Sequence, residues 1–548
     1  MCIPRCVRLT PRETQRRQPL GMLVTRFKLL LDHAGHEAAT PLSPSTDGEL
    51  VRADPTPSSL SSLSGLPPGI AQQRGGAGGG MLLPPGLDVV DVIGDYLRFM
   101  AQHVAEIVAS KYEASGLTLD NVKWCLTVPA MWTPKAKSQM RQAAHRAGMI
   151  PDYDCPRLEF VLEPEAAAAY GLSAPDSSFS GCHPFRPREG ESFMVVDAGG
   201  GTVDITVHQR QDGFLYEVTR GHGDSCGGTF VDVEFMRLVR QRLGDAFLDK
   251  MEAQHPREIS ALLASWYSVR DKFDGEIDVD VPLPPGMTRR LPPKVISTLE
   301  EAQDGYSDVI EIRPMGADES GKNIFDPVVD KVLQCIETQM QRVEEGQHPL
   351  HSMLLVGGFS SNPYLRKRIE ERFSDRVGEI VYPLRPGEAV VMGAAHYALN
   401  PSIIKSRVAR YSYGIKCSLA WDETDERHRA HAEHRSPDGI HLRGCFDPIL
   451  RQGTSVPVGQ SWSENYKARD TCGYASFQLY VSSAPDPLLC SDEGVTPLGD
   501  EIRINVPPVE KKVGLQVQFG QTEVQMTMTP AFDPSQKRVV KVSYRLGV

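Results

Sequence analysis

The chain has 548 residues, a net charge of −11, 40% apolar and 24% charged residues, which is ordinary folded-protein usage with length for roughly three to four domains. The acidic balance gives no general electrostatic drive toward nucleic acid or an anionic membrane, and no stretch approaches the ~18 uninterrupted apolar residues a bilayer span requires. Arg5, Arg8, Arg12, Arg16 and Arg17 interrupt the place where a signal-peptide core would lie, so a cytoplasmic chain is expected.

Residues 1–86 read as a linker or as the remnant of a truncated first lobe. The first 31 residues carry seven Lys/Arg and one acid, with Pro4, Pro11 and Pro19 against any long helix. A short apolar piece, Phe27 to Leu31, precedes the Pro/Ser/Gly-rich segment from Thr40 to Pro85. Its RGGAGGGM run is not a P-loop, because no Gly-Lys-Ser/Thr follows.

Order begins near Leu87. Val89, Val90, Ile93, Leu97, Met100, Val104, Ile107 and Val108 recur at three- and four-residue spacing, which predicts an amphipathic helix of about 25 residues. A strand is expected over Asn121 to Val128, a helix over Pro134 to Gly148, a strand over Arg157 to Leu162 and a short Ala-rich helix over Glu165 to Tyr170. Strands alternating with helices argue for an α/β architecture. After about residue 405 the pattern becomes short alternating segments (Ala475 to Val481, Glu501 to Val506, Val513 to Phe519, Val524 to Met528, Arg538 to Tyr544); these predict an all-β module.

The 11 cysteines are scattered and form no CxxC pair, so reduced thiols are expected rather than a zinc ribbon or redox motif. His428, His431 and His434 share i, i+3 spacing, but their segment, DETDERHRAHAEHR, reads as a charged loop.

The feature richest in chemistry is Phe193-Met-Val-Val-Asp-Ala-Gly-Gly-Gly-Thr-Val-Asp-Ile-Thr-Val-His208. Two β-rich runs flank three glycines, and consecutive amides in such a turn form an anion-binding concavity. A hairpin would set Asp197 and Asp204 beside that cradle, where a hydrated Mg²⁺ needs hard oxygen ligands. Thr202 adds a hydroxyl. A second corner, Met353-Leu-Leu-Val-Gly-Gly-Phe-Ser-Ser-Asn-Pro363, reads as a strand, a Gly pair and the start of a helix over Tyr364 to Phe373, an arrangement suited to docking a nucleotide. Glu388-Ala-Val-Val-Met-Gly-Ala-Ala395 reads as a closely packed helix.

These segments resemble, in order and spacing, the seventy-kilodalton heat-shock chaperones of the actin-like ATPase superfamily, and within them a divergent branch typified by heat-shock protein family A member twelve and its fungal-type relatives. The resemblance rests on LTVPAMWTPKAKSQMRQAAHRAGM (126–149), LEPEAAAAYGL (162–172), VVDAGGGTVDIT, GDSCGGTFVD (223–232), FDPVVDKVLQCIETQM (325–340) with LLVGGFSSNPYLRKRI (354–369), and LRPGEAVVMGAA (384–395). SYGIKC (412–417) and FDPILRQGTSVPVGQS (446–461) resemble the start of the family's peptide-binding β-sandwich; no counterpart of its C-terminal helical lid is read.

The resemblance implies a two-lobed fold of ribonuclease H-like lobes followed by a β-sandwich-like module. Residues 87–171 would be the remainder of the first lobe, 172–404 the second, with its upper subdomain at about 229–322, and 405–548 the β-rich domain. It implies ATP/ADP and Mg²⁺ as cofactors. Glu163 would lie near the attacking water, Asp197 and Asp204 would hold Mg²⁺ through water, and Thr202 would contact the γ-phosphate. Gly199, Gly200 and Gly201 would cradle phosphates, Gly227 and Gly228 would flank the ribose, and Gly357, Gly358 and Phe359 would border the adenosine. Arg270 stands where the family has a stacking lysine, and Tyr267 where it has a carboxylate.

The family's first phosphate loop, Asp-x-Gly-Thr-Thr after a strand, has no counterpart in residues 1–120, and Lys28 is the one candidate for its first-lobe lysine. Either the chain is a pseudo-ATPase or its true start lies upstream. Three functions follow: an ATP-binding chaperone with impaired hydrolysis that holds client polypeptides, a nucleotide-insensitive scaffold, or a small-molecule kinase of the same fold. A monomer without nucleic-acid or membrane partners is expected.

Overall fold

The computed structural model describes Leu31 and residues 87–112, 118–179, 185–303, 305–313, 323–467, 474–484, 486–505, 512–519, 522–530 and 538–541. The expectations for the N-terminal segment, its glycine run and Lys28 fall outside these residues. Among the described residues the chain forms two compact units, one of 87–229 with 328–548, the other of Phe230–Pro327. No helix among them is long and apolar enough to cross a membrane.

The first unit opens with α1 (Val89–Tyr112). Only its first half is a core element: Val90, Val92, Ile93, Tyr96, Leu97 and Ala101 are buried, whereas Phe99 and Ile107 are exposed. The apolar spacing therefore gave the helix but overstated how much of it packs. The parallel pair β1 (Trp124–Val128) and β2 (Leu158–Leu162) brackets α2 (Pro134–Arg146). Thr133 caps α2 by accepting the Ala136 amide, Pro134 occupies the first turn, and Gly148, at φ +77°, turns the chain out of it, as capping chemistry requires. α3 (Glu163–Ser173) begins directly at the end of β2.

A seven-stranded sheet forms the centre of this unit. It is built on β3 (Ser192–Ala198), β4 (Val203–Gln211) and β5 (Phe214–Asp224), with β4 antiparallel to both of its neighbours. Every residue of β3 is buried, the pattern of a strand covered on both faces.

In the second unit, α4 (Thr229–Leu243), α5 (Asp245–Gln254), α6 (Pro256–Arg270) and α7 (Pro293–Ala302) accompany a two-stranded ribbon, β6 (Val279–Pro282) with β7 (Val309–Ile312). Stacked rings form its core: Phe235 on Trp266 and Phe273 on Phe325, each pair with centroids 4.4 Å apart.

The chain then follows α8 (Asp326–Glu345), β8 (Leu350–Val356), α9 (Pro363–Phe373), β9 (Glu379–Val381) and α10 (Ala389–Leu399). β8 adds parallel to β3 and β9 to β8. α10 lies against α3 at Gly393, where a Cβ would sit 1.7 Å from the Ala166 carbonyl oxygen. Gly393→Ala is therefore expected to force the helices apart and cost at least ~1–3 kcal/mol, seen as a lowered thermal midpoint; an unchanged midpoint would refute this close approach.

Strand β10 (Ile404–Val408) joins the large sheet parallel to β5, and β13 (Ser455–Pro457) completes its edge. The C-terminal part carries two four-stranded antiparallel sheets. One holds β11 (Ser412–Ala420), β12 (His441–Leu450), β15 (Tyr474–Ser482) and β16 (Val495–Asn505); the other holds β14 (Ser461–Lys467), β17 (Lys512–Gln518), β18 (Gln525–Pro530) and β19 (Arg538–Lys541). Ile415, Leu479, Leu498 and Ile502 of the first sheet share one apolar cluster with Val513, Leu515, Val517, Met526 and Met528 of the second.

A cavity of about 100 Å³ lies between α2, β10 and these sheets, lined in part by Trp132, Lys137, Glu217, Arg410, Tyr413 and Phe519. Burial pushes the Glu217 carboxyl up to about 7, aided by the charge of Glu165 and opposed by the Val408 amide and by Arg410 and Arg407. An unfolded Glu217 ionises near 4.5, so between these values the folded state holds the extra proton and loses stability as pH rises. Glu217→Gln keeps an acceptor for the Val408 amide and removes that loss. Its stability should match the parent's at pH 4 and exceed it at pH 8 by an amount of order 1–3 kcal/mol, read as a higher thermal midpoint at pH 8. A gap that does not widen with pH would contradict this assignment.

Candidate functional site

β3 and β4 are joined by the four residues Gly199 to Thr202. The Gly199 amide donates to the Thr202 carbonyl at 3.0 Å and closes the bend, while among the described residues nothing accepts from the Gly200 or Gly201 amides. Gly200 is exposed, and a Cβ on it would meet only the Thr229 methyl, at 3.7 Å. The bend is thus open, with two consecutive amides available to an anion.

A second turn supports it from behind. Gly227 donates to the Gly201 carbonyl at 3.1 Å, Gly228 to Gly199 at 3.0 Å, and Thr229 to Gly200 at 2.8 Å through its amide and 2.7 Å through its hydroxyl. A Cβ on Gly227 would stand 2.6 Å from the Gly200 carbonyl carbon, so only glycine admits this approach. All three glycine carbonyls of the bend are thus engaged by this turn, while the Gly200 and Gly201 amides are not.

Asp197 and Asp204 are direct partners across the β3–β4 ladder, which sets their side chains on one face. Both are buried. The Asp204 Oδ1 accepts the Met131 amide at 2.9 Å, whereas its Oδ2 is buried without a hydrogen-bond partner. Burial raises the Asp204 carboxyl to about 6, with the negative charge of Glu163 adding to the rise; the Met131 amide, the Thr202 hydroxyl and Arg410 act against it. Glu163, in the first turn of α3, is thus close enough to Asp204 for its charge to act there.

The β8–α9 corner closes on this group. Gly357 has φ +87°, and a Cβ there would lie 2.3 Å from the Ala198 carbonyl oxygen and 2.5 Å from the Asp197 Oδ1. Its amide donates to the Pro386 carbonyl at 2.9 Å. Gly358 is exposed, and Gly387 approaches it closely enough that a Cβ would lie 3.7 Å from its Cα. Phe359 is buried against Gly228, where a Cβ would lie 3.0 Å from the ring.

Within the first unit, then, the structure brings together Glu163, Asp197, Gly199, Gly200, Gly201, Thr202, Asp204, Gly227, Gly228, Gly357, Gly358 and Phe359. Arg270 lies in the second unit, where it is buried and its guanidinium is held by Asp232 at 2.8 Å and Asp271 at 2.7 Å, with the Tyr267 ring centroid 5.4 Å away. Three contributors escaped the sequence reading. Gly387 and Thr229 stand inside the motifs themselves and were legible there, but Met131 acts through its backbone amide and leaves no side-chain signature.

Hard oxygens facing each other beside free amides suit a hydrated divalent cation with a polyphosphate, and the orphaned Asp204 Oδ2 has an acceptor position to offer. Among the described residues no group of three or more His, Cys, Asp or Glu is set to hold a metal ion, so such a cation would rest on two carboxylates and keep most of its water.

The chain is similar in sequence to known proteins. The Hsp70 protein family model matches residues 89–259. Human heat shock 70 kDa protein 12A is 26% identical over 80% of this chain and 72% of its own length, and human heat shock 70 kDa protein 12B 25% identical over 83% and 75%. Chaperone protein DnaK of Thermoplasma acidophilum is 27% identical over 61% of this chain and 46% of its own.

Proposed function

With an Hsp70-family segment at residues 89–259 as the premise, we propose that this chain is an ATP/ADP-binding, chaperone-like protein whose C-terminal β-rich part holds extended polypeptide. The observation that carries the reading is the open Gly199–Gly201 bend, braced from behind by the 227–229 turn and flanked by the facing carboxylates Asp197 and Asp204. The Gly200 and Gly201 amides receive phosphate oxygens, and the Thr202 hydroxyl contacts the terminal phosphate. Asp197 and Asp204 hold hydrated Mg²⁺, which when bound neutralises phosphate charge. Glu163 orients the attacking water. Gly357, Gly358 and Phe359 border the adenosine, and Gly227 and Gly228 the ribose side. Phosphoryl transfer of this kind depends mainly on positioning and charge.

We assign residues 87–171 to a first ATPase lobe, 172–404 to a second, and 405–548 to a peptide-binding β-sandwich. Two antiparallel sheets around one apolar cluster support the last assignment, since capture of an extended peptide uses free strand edges and apolar pockets.

Isothermal titration with ATP and Mg²⁺ tests the reading. Micromolar, Mg²⁺-dependent binding that Asp197→Asn weakens at least tenfold is expected. No heat at high protein concentration would instead favour a nucleotide-insensitive scaffold, and phosphate release that requires an added sugar would favour a kinase.

A further inference from the structure

The cavity between α2, β10 and the C-terminal sheets has two cations on its wall that nothing among the described residues neutralises. Lys137 stands on α2 and Arg410 follows β10. The Arg410 Nη2 is buried without a hydrogen-bond partner. Lys137 is half-buried, and among the described residues its ammonium has neither an ion pair nor a hydrogen bond. A buried donor left unmet bears the full cost of its lost hydration, and a second cation beside it adds repulsion. Burial and the charges of Arg410 and Arg407 push the Lys137 ammonium down to about 8, against Glu165 and Glu523.

The acids on the same wall are already committed. Both Glu523 oxygens accept from the Arg141 guanidinium, at 2.7 and 2.6 Å. Glu217 accepts the Val408 amide at 2.7 Å, and its carboxyl, raised to about 7 by burial, carries less than a full charge at neutral pH. Arg407, the third lining cation, is held by both Glu165 oxygens. The balance left to the cavity is positive. The backbone that carries Arg410 is fixed in place: the Ala409 amide donates to the Thr454 carbonyl at 2.9 Å, the Gly453 amide to the Ala409 carbonyl at 2.8 Å, and the Gln452 side chain to the Arg410 carbonyl at 2.8 Å. On β5, Gly221 leaves room for the guanidinium, since a Cβ there would lie 2.9 Å from the Arg410 Nη2.

The rest of the lining is largely apolar. Trp132, Leu498 and Phe519 are buried, and the Tyr413 ring lies against Phe519 with centroids 5.4 Å apart. We propose that this cavity binds a short-chain monocarboxylate, its carboxylate met by Lys137 and Arg410 and its hydrocarbon tail by Trp132, Leu498 and Phe519. A few placed polar groups on apolar walls are the usual make-up of a small-molecule site, and an ammonium and a guanidinium give a carboxylate charge-assisted hydrogen bonds. The volume of about 100 Å³ suits roughly four to six heavy atoms, since an engineered apolar cavity of about 150 Å³ takes up benzene. Inorganic phosphate fits less well. It would shed more water to enter beside these apolar walls, and its second charge would face Glu217 and Glu523.

The site owes nothing to the glycine bend, so the full-length chain is used without nucleotide and the nucleotide reading stands or falls separately. Sodium butyrate is titrated calorimetrically, and the thermal midpoint is followed in parallel. Saturable binding with a rise in midpoint is expected, because a ligand held by the folded state alone stabilises it. Butyramide, the neutral counterpart of the same shape, and inorganic phosphate at matched ionic strength should each bind at least tenfold more weakly. Lys137→Gln and Arg410→Gln should each weaken butyrate at least tenfold. If either variant does not fold, the three ligands on the parent protein still decide the matter. Failure of butyrate to saturate would overturn the proposal. So would butyramide binding as tightly as butyrate, which would mean an apolar hollow, or phosphate doing so, which would mean an unselective positive patch. Folded variants that both keep the parent's butyrate affinity would overturn it as well.

Discussion

Replacing Arg407 with Met should destabilise the first unit by roughly 3–5 kcal/mol, the range measured when one partner of a buried ion pair is removed. The Arg407 guanidinium donates to both Glu165 oxygens, at 2.6 and 2.9 Å, and both residues are buried. This contact fastens β10 to the first turn of α3. Burial alone would raise the Glu165 carboxyl, but the charge and hydrogen bonds of Arg407 outweigh it and hold the carboxyl below its ordinary range. A depressed carboxyl contributes stability above its unfolded value and loses that contribution as pH falls through the folded one. The parent should therefore weaken in acid. In Arg407→Met the uncompensated Glu165 instead favours its protonated form, so that variant should recover part of its loss as pH is lowered toward 4. The double variant Glu165→Gln/Arg407→Met should regain most of the stability, since no buried charge is then left unpaired. Thermal midpoints of the parent, single and double variants at pH 4 and pH 7.5 check all three statements. A double variant as unstable as the single one would mean that Arg407 acts by packing rather than by pairing.

How much of this was legible follows a physical boundary. Elements whose signal is local were read to within about three residues at their ends. The run Ser192–Ala198 is apolar enough to be a central strand, three glycines mark the bend after it, and the Thr133 cap and Gly148 bracket α2. The site was legible for the same reason, because β3, the bend and β4 are contiguous and a hairpin of that length must oppose Asp197 and Asp204. What could not be read is pairing across long sequence distance. Glu165 looked like one residue of an Ala-rich helix, and its partner lies 242 positions later. Arg141, read only as part of the helix over Pro134 to Gly148, is fully buried and holds Glu523, 382 positions away, at 2.6 and 2.7 Å. Arg270 was read toward a ligand, yet its guanidinium is shared between Asp232 and Asp271. Charged residues at helical spacing carry no mark that separates a solvated face from a buried pair. The β-rich part was legible in its later strands, where apolar alternation is clean. It was less so in β12, where Gly444, at φ +72°, and Pro448 interrupt the period.

Asp204→Asn should abolish most ATP hydrolysis while sparing most ATP binding and making the protein more stable. The Asn carbonyl can still accept the Met131 amide, as the Asp204 Oδ1 does at 2.9 Å, so the hairpin keeps its geometry. The change falls on the Oδ2, buried without a partner. An Asn amide at that point can no longer accept from cation-bound water. If that oxygen positions hydrated Mg²⁺, hydrolysis should fall by about 10²–10³-fold, the usual effect of deleting one preorganised electrostatic group, and ATP affinity by less than tenfold. The stability effect has the opposite sign. The carboxyl is raised from 3.8 to about 6, so the folded state retains a proton that the unfolded state has lost between those values, and stability declines as pH rises across them. Removing the ionisable group should thus raise the thermal midpoint at pH 7.5 and leave it nearly unchanged at pH 3.5. A site that sacrifices stability for function behaves this way. Equal losses in hydrolysis and binding, with no gain in midpoint, would mean that Asp204 shapes the hairpin and does not hold the cation.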